Sequence, residues 1–349
     1  MMKVINKVIK LIKVLIKNPL SILRFLLAIL FTKKLVGYIY FIEEIKNNSQ
    51  YPLSKTWFTS LLPNSMFNLD VHFLYQLKLV VIIVGLLATV GIIGRLSLFL
   101  LSLLSFYILG IVEGIGVFDH HLSLPSQVIL ILTFIPGTLK LSVDNFIHSL
   151  FKNKKTVITD TPKWSVNLIL AVVVLTYFAA GVSKLRYGNG LNWLDGSTLS
   201  FYLKEQTLKY KEGQMQLIIG DNKISEENKW KDSIGFKAHA YGNFQLSKKR
   251  NAISTYIANN KTLVILLSIG SVLFELLGFI VFINSKYRNL YLISAILFHL
   301  SIGALMGISF RQYRLICLCL IDWKSLFNSI SALLPTPILS KLKTNLQLN

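Results

Sequence analysis

The sequence predicts an all-α membrane protein: a multispanning bundle of about eight transmembrane helices, with an N-terminal interfacial amphipathic helix and a small extracytoplasmic insertion. Three observations predict it. Of 349 residues, 53% are hydrophobic and only 15% charged, against roughly 25% charged in soluble domains. The mean hydropathy is +0.57. The apolar residues gather into runs about long enough to cross a hydrocarbon core roughly 30 Å thick. A formal net charge of +21 would suggest nucleic acid in a soluble protein. Here much of the basic excess flanks apolar runs, so the expected partner is a bilayer with anionic headgroups, with no nucleic acid.

Residues 1–17 come first. Lys3, Lys7, Lys10, Lys13 and Lys17 recur at helical spacing, while Val4, Ile5, Val8, Ile9, Ile12 and Ile16 cover much of the remaining surface. This is the pattern of a helix lying on the membrane. A cleaved signal peptide fits less well, because lysines interrupt the apolar run and no small-x-small site precedes Asn18-Pro19. Spans are then predicted at 20–45, 76–94, 96–112, 125–150, 164–184, 261–283, 289–308 and 311–323. Arg24, Lys33 and Lys34 interrupt the first, which predicts a tilted or partly interfacial segment, and Arg311 and Arg314 open the short last one. The membrane domain is expected over 18–325, the extracytoplasmic insertion over 204–260, and a cytoplasmic tail over 326–349. Short loops retain their lysines and arginines in the cytoplasm. With the N-terminus inside, Arg95, the loop with Lys152, Lys154 and Lys155, and Lys286 with Arg288 all fall inside too. The expected location is a bacterial cytoplasmic membrane.

The chemistry concentrates at Lys184. The span from Trp164 to Ser183 has no charged side chain, so Lys184 sits where a helix leaves the bilayer. An amine at that depth is partly desolvated, which disfavours its charged form and makes it a candidate general base. The bland alternative is a snorkelling anchor. Asn192-Trp193-Leu194-Asp195-Gly196 follows and is expected to shape the turn. Asp119-His120-His121 falls on the same predicted outer face, so an imidazole could meet the amine. Glu275 and His299 lie inside the sixth and seventh predicted spans; a carboxylate there must be paired or protonated, with His299 or Tyr177 as its expected partner. Asp144 and His148, four apart, are expected to form a structural pair. Cys317 and Cys319 are the only cysteines, and no metal-ligand spacing is present, so no metal is expected.

These motifs together resemble the vitamin K-dependent gamma-carboxylase-like (HTTM) membrane family. Tyr177-Phe178-Ala179-Ala180-Gly181-Val182-Ser183-Lys184-Leu185 followed by Trp193-Leu194-Asp195-Gly196 is similar to that family's Tyr-Phe-x-Ala-Gly-x-x-Lys-Leu and Trp-x-x-Gly pattern. His121-Leu122-Ser123-Leu124, Ser142-Val143-Asp144 and the run from Phe298-His299 to Ile308 resemble further family motifs in order. The resemblance implies that Lys184 deprotonates a reduced quinone and that His121 assists. It also implies that His120, Trp193, Asp195, Gly196, Glu275 and His299 line the substrate site. Departures are Ser183 in place of a second lysine, Ile302 in place of an asparagine, and Arg311-Gln312-Tyr313 in place of Phe-Pro-Tyr. With only 326–349 after the last predicted span, the chain is more similar to small bacterial members resembling the sporulation-delaying-protein maturation group. Two functions are therefore expected as alternatives. One is modification or maturation of an exported peptide or lipid-soluble substrate by lysine-based proton abstraction. The other is a non-catalytic membrane partner or immunity or maturation factor for an exported toxin peptide.

Overall fold

A computed structural model describes residues 17–47, 55, 59–67, 69–114, 123–151, 162–186, 193–205, 216–217, 240–241 and 246–331. The described chain is a helical bundle. Its helices are α1 (Pro19–Asn47), α2 (Val71–Val90), α3 (Gly94–Gly114), α4 (Ser123–Phe134), α5 (Val143–Phe151), α6 (Lys163–Arg186), α7 (Ser197–Glu205), α8 (Lys248–Asn259), α9 (Lys261–Leu276), α10 (Ser285–Leu305), α11 (Arg311–Leu320) and α12 (Trp323–Ser331). A 3₁₀ turn, Leu277–Phe282, continues α9. Within the predicted insertion, Gln216–Leu217 and Ala240–Tyr241 pair antiparallel.

Six described helices are long and apolar enough to cross a membrane: Pro19–Glu43, Val71–Val90, Gly94–Gly114, Trp164–Arg186, Lys261–Phe282 and Ser285–Leu305. The expected count of eight is not reached by length, for two reasons. The predicted span 125–150 divides into α4 and α5, because Pro136 cannot continue a helix and Gly137 adopts φ 85°. The predicted span 311–323 is a ten-residue helix, α11, about 15 Å long. The amphipathic segment 1–16, Asp119-His120-His121 and most of the tail lie outside the described residues.

Helix order places two ends on the bundle. The proximal end holds the start of α1, the α2–α3 turn, α5 and the start of α10; the distal end holds the ends of α6 and α10 together with α7 and α8. Asp322 accepts from Ser285 Oγ at 2.8 Å, and its carbonyl accepts from Asn289 Nδ2 at 2.9 Å, so the short α11 returns along α10 to the proximal end. The core between helices is aliphatic, with Leu23, Leu27, Phe31, Val81, Leu98, Ile108, Val128, Leu170 and Ile316 all fully buried.

The first span is neither broken nor interfacial at Arg24. Arg24 is fully buried and donates from Nη1 to the carbonyls of Ala88 (2.6 Å) and Thr89 (3.0 Å), and from Nη2 to that of Leu141 (2.5 Å). Those α2 carbonyls lie in its last turn, where no intrahelical donor reaches them. Gly91 ends α2 in the left-handed region at φ 74°, and a Cβ there would stand 2.7 Å from Arg24 Nη1. Asp144 is not paired with His148. Its carboxylate caps the start of α3, accepting from Ile93 N–H at 2.9 Å and Gly94 N–H at 2.7 Å. A carboxylate satisfies the first free N–H groups of a helix better than it pairs with an exposed imidazole.

Candidate functional site

One face of α6 builds the site. Tyr177, Gly181 and Lys184 follow each other at spacings of four and three, so they line up along the helix. A Cβ at Gly181 would lie 3.1 Å from Glu275 Cβ and 3.1 Å from Leu276 Cδ2. The glycine therefore lets α9 come close enough for Lys184, one turn further on, to reach the Glu275 carboxylate. Lys184 Nζ donates to Glu275 Oε1, forming an ion pair in which the lysine side chain is 19% exposed and the glutamate 5%. The expected partner of Glu275 was His299 or Tyr177; the structure gives it Lys184 instead. The second carboxylate oxygen, Oε2, is buried and has no hydrogen-bond partner among the described residues.

Trp193 closes the site from the turn after α6. Its ring centroid lies 4.9 Å from Lys184 Nζ, a cation–π contact, and the ring stacks on Tyr202 of α7 at 6.1 Å. Asp195 Oδ1 accepts from Ser197 N–H at 2.8 Å, which starts α7. Gly196 has φ 80°, and a Cβ there would stand 2.4 Å from Val264 Cγ1 and 3.0 Å from Ile265 N. Asp195 and Gly196 thus fix the turn against α9, as the sequence leads one to expect, and hold Trp193 over the amine. Neither is hydrogen-bonded or ion-paired to Lys184. Ser200 Oγ donates to the Ala258 carbonyl at 2.8 Å and Ser254 Oγ to the Leu305 carbonyl at 2.6 Å, which ties α7, α8 and the end of α10 into a cover at the distal end.

A second buried layer lies about two turns deeper along α6, roughly 10 Å. Tyr177 Oη and His299 Nε2 are 2.5 Å apart, both side chains buried. Phe274, Tyr291, Phe310 and Tyr313 surround them: Tyr177 meets Phe274 at 5.5 Å and Tyr291 at 6.0 Å, and His299 meets Phe310 at 4.4 Å and Tyr313 at 5.3 Å. Tyr291 stacks on Phe274 at 4.8 Å, and its hydroxyl lies 3.0 Å from where a Cβ of Gly278 would be. That hydroxyl, carried by α10, is buried without a partner among the described residues, and the Gly278 it lies against is three residues beyond Glu275, in the 3₁₀ turn that continues α9.

The structure therefore brings together Lys184, Glu275 and Trp193, and sets His299 with Tyr177 in the deeper layer. His120 and His121 fall outside the described residues. Phe274 and Tyr291 were not anticipated. Tyr291, Ala295 and His299 recur at i, i+4 and i+8 and are all buried, a stripe that the sequence alone displays. Among the described residues no three His, Cys, Asp or Glu side chains cluster as a metal ion would require.

A family model described as the HTTM domain matches residues 16–225, more than half of the chain. No curated protein and no solved structure matches the chain.

Proposed function

We propose, from the premise that this chain belongs to the HTTM family of multipass integral membrane proteins, that Lys184 and Glu275 move a proton on a lipid-soluble or membrane-delivered substrate. The observation that carries this reading is the Lys184–Glu275 pair with its idle Oε2. An ammonium beside a carboxylate and an amine beside a carboxylic acid have the same total charge. Passing the proton from Nζ to Oε1 therefore leaves the net charge of a poorly solvated site unchanged. The freed amine then takes a proton from the substrate, and Glu275, with its second oxygen open, hands the first one on. Trp193 faces the amine and favours the ammonium that results. His121 is the proposed relay to the distal face, which the placement of basic loops makes the outer face.

A reduced quinone, implied by the family resemblance, fits these groups: Lys184 Nζ and Glu275 Oε2 would hold a ring hydroxyl. Bound there, it would supply an acidic O–H and, with oxygen, a strong base. The test is oxygen uptake by the protein in lipid vesicles given a reduced naphthoquinone. Lys184→Arg, which keeps charge but cannot release a proton, and Glu275→Gln should each lower the rate by about a hundredfold or more. Uptake that is absent in the wild type, or undiminished in Lys184→Arg, removes the assignment.

The competing reading is a non-catalytic membrane partner of an exported peptide. What favours it is that Lys184 and Glu275 already neutralise each other, as a helix-to-helix fastening would. Under that reading a peptide co-purifies with the protein and remains bound when Lys184 and Glu275 are replaced together.

A further inference from the structure

We propose that the membrane-facing side of α1, joined by Lys78 of α2, is a docking surface for a membrane-spanning helix of another protein that carries a carboxylate near mid-depth. Phe25, Ile29, Lys33, Gly37 and Tyr40 recur at spacings of four, four, four and three, and all five are exposed, so they form one continuous stripe. Lys33 lies within the span Pro19–Glu43, fourteen residues from its start and ten from its end. Ten residues are roughly 15 Å of helix, beyond the reach of a four-carbon stem. Its ammonium therefore cannot snorkel to the headgroups at either end.

The register between α1 and α2 extends the charge along the same face. Tyr40 is seven residues beyond Lys33, two turns along the helix, and Lys78 Nζ lies 4.6 Å from the centre of the Tyr40 ring and 5.3 Å from that of Tyr75. Lys78 is itself seven residues inside the span Val71–Val90. Neither Lys33 nor Lys78 has a carboxylate partner among the described residues. A lipid-facing lysine without a counter-ion is expensive to keep in hydrocarbon, and such residues mark contacts with something that neutralises them.

Charge and shape narrow the occupant. A second copy of this chain meeting the stripe through a two-fold axis would set lysine against lysine, so a like-with-like dimer is disfavoured. Lipid headgroups lie too far from Lys33. A helix bearing Asp or Glu satisfies both demands. Gly37, one turn from Lys33, has no atom within 4 Å of where its Cβ would be, and so offers bare backbone for a close crossing. The stripe shares no residue with the Lys184–Glu275 site and stands independently of its function.

The test uses the full chain in zwitterionic phosphatidylcholine vesicles and a labelled leucine-rich membrane-spanning peptide with one central Glu, beside its Gln twin. Energy transfer between protein and peptide should show the Glu peptide bound about tenfold or more tighter than the Gln peptide. Lys33→Leu, which lengthens the apolar run and so keeps the span, should abolish that difference. Equal binding of the two peptides overturns the proposal, as does a preference that survives in Lys33→Leu. Adding phosphatidylglycerol supplies the remaining arm: Lys33-dependent enrichment of anionic lipid, without any preference for the Glu peptide, makes the stripe a lipid contact and overturns the proposal too.

Discussion

Two cations sit inside opposite ends of the bundle, Arg24 proximally and Lys184 distally, and their surroundings differ in kind. Arg24 is fully buried and meets backbone: its two terminal nitrogens reach three carbonyls, two of them at the end of α2. Asp144 close by is occupied with the first N–H groups of α3. Both charges neutralise helix ends that nothing else satisfies, and neither is positioned to exchange a proton with a ligand. Lys184 instead meets one titratable side chain and one aromatic face, is partly exposed, and leaves half of its partner carboxylate idle. A buried charge committed to backbone ends fastens helices together. A buried charge committed to another titratable group, with an open oxygen beside it, can react.

The contrast is broken most directly at Arg24. Arg24→Leu removes all three bonds and leaves the carbonyls of Ala88 and Thr89 buried without them. Loss of about 2–5 kcal/mol is expected, at about 1–3 kcal/mol for each buried acceptor left unsatisfied, read from denaturant unfolding of the detergent-solubilised protein. A loss below about 1 kcal/mol would mean that the end of α2 finds other caps, and the fastening role would fall. The distal pair should respond less. Lys184→Met strands the Glu275 carboxylate and is expected to cost about 1–3 kcal/mol. The double substitution Lys184→Met with Glu275→Leu should recover that stability, since replacing a buried pair by apolar side chains is often neutral or better, while leaving proton transfer absent. Stability and activity that fall together and return together would make the distal pair a second fastening.

Asp144→Ala sharpens the proximal half of the comparison. It removes acceptors from Ile93 and Gly94 N–H but leaves Arg24 on its carbonyls, so a cost of about 0.5–2 kcal/mol is expected, as for other helix caps. If Asp144→Ala matched Arg24→Leu, the two residues would be acting as one ion pair and not as separate caps.

The sequence displayed the distal site better than the proximal one, and the physical reason lies in what each charge contacts. Lys184 ends an uncharged run of membrane length, so its position shows without any partner. The turn after it showed through Gly196 and Asp195, whose backbone demands are local. Glu275 was visible as a carboxylate in a span, but which helix it faces depends on packing; the stripe of Tyr177, Gly181 and Lys184 is the signal that pairs it with α6 and not with His299. Arg24 read as an interruption because helix-end carbonyls are invisible in sequence, and Asp144 read as half of an i, i+4 pair because the start of α3 is fifty residues away. The predicted span 125–150 contained Pro136-Gly137, whose meaning its apolar neighbours masked.

Tyr291 offers the finest distinction. Its hydroxyl is buried beside α9 near Glu275 with no partner among the described residues, so deleting it removes no bond that holds the fold. Tyr291→Phe should change stability by less than about 0.5 kcal/mol, or raise it slightly by removing a buried polar atom. A purely structural distal layer would leave oxygen uptake in the reduced-naphthoquinone assay unmoved as well. A reactive one, in which a water or substrate oxygen spans Tyr291 Oη and Glu275 Oε2, would lose rate at unchanged stability. The pH profile would move with it, because the acid–base behaviour of Glu275 would then depend on that hydroxyl. Unchanged rate and profile would confine the chemistry to Lys184, Glu275 and Trp193, and return the aromatic layer to packing.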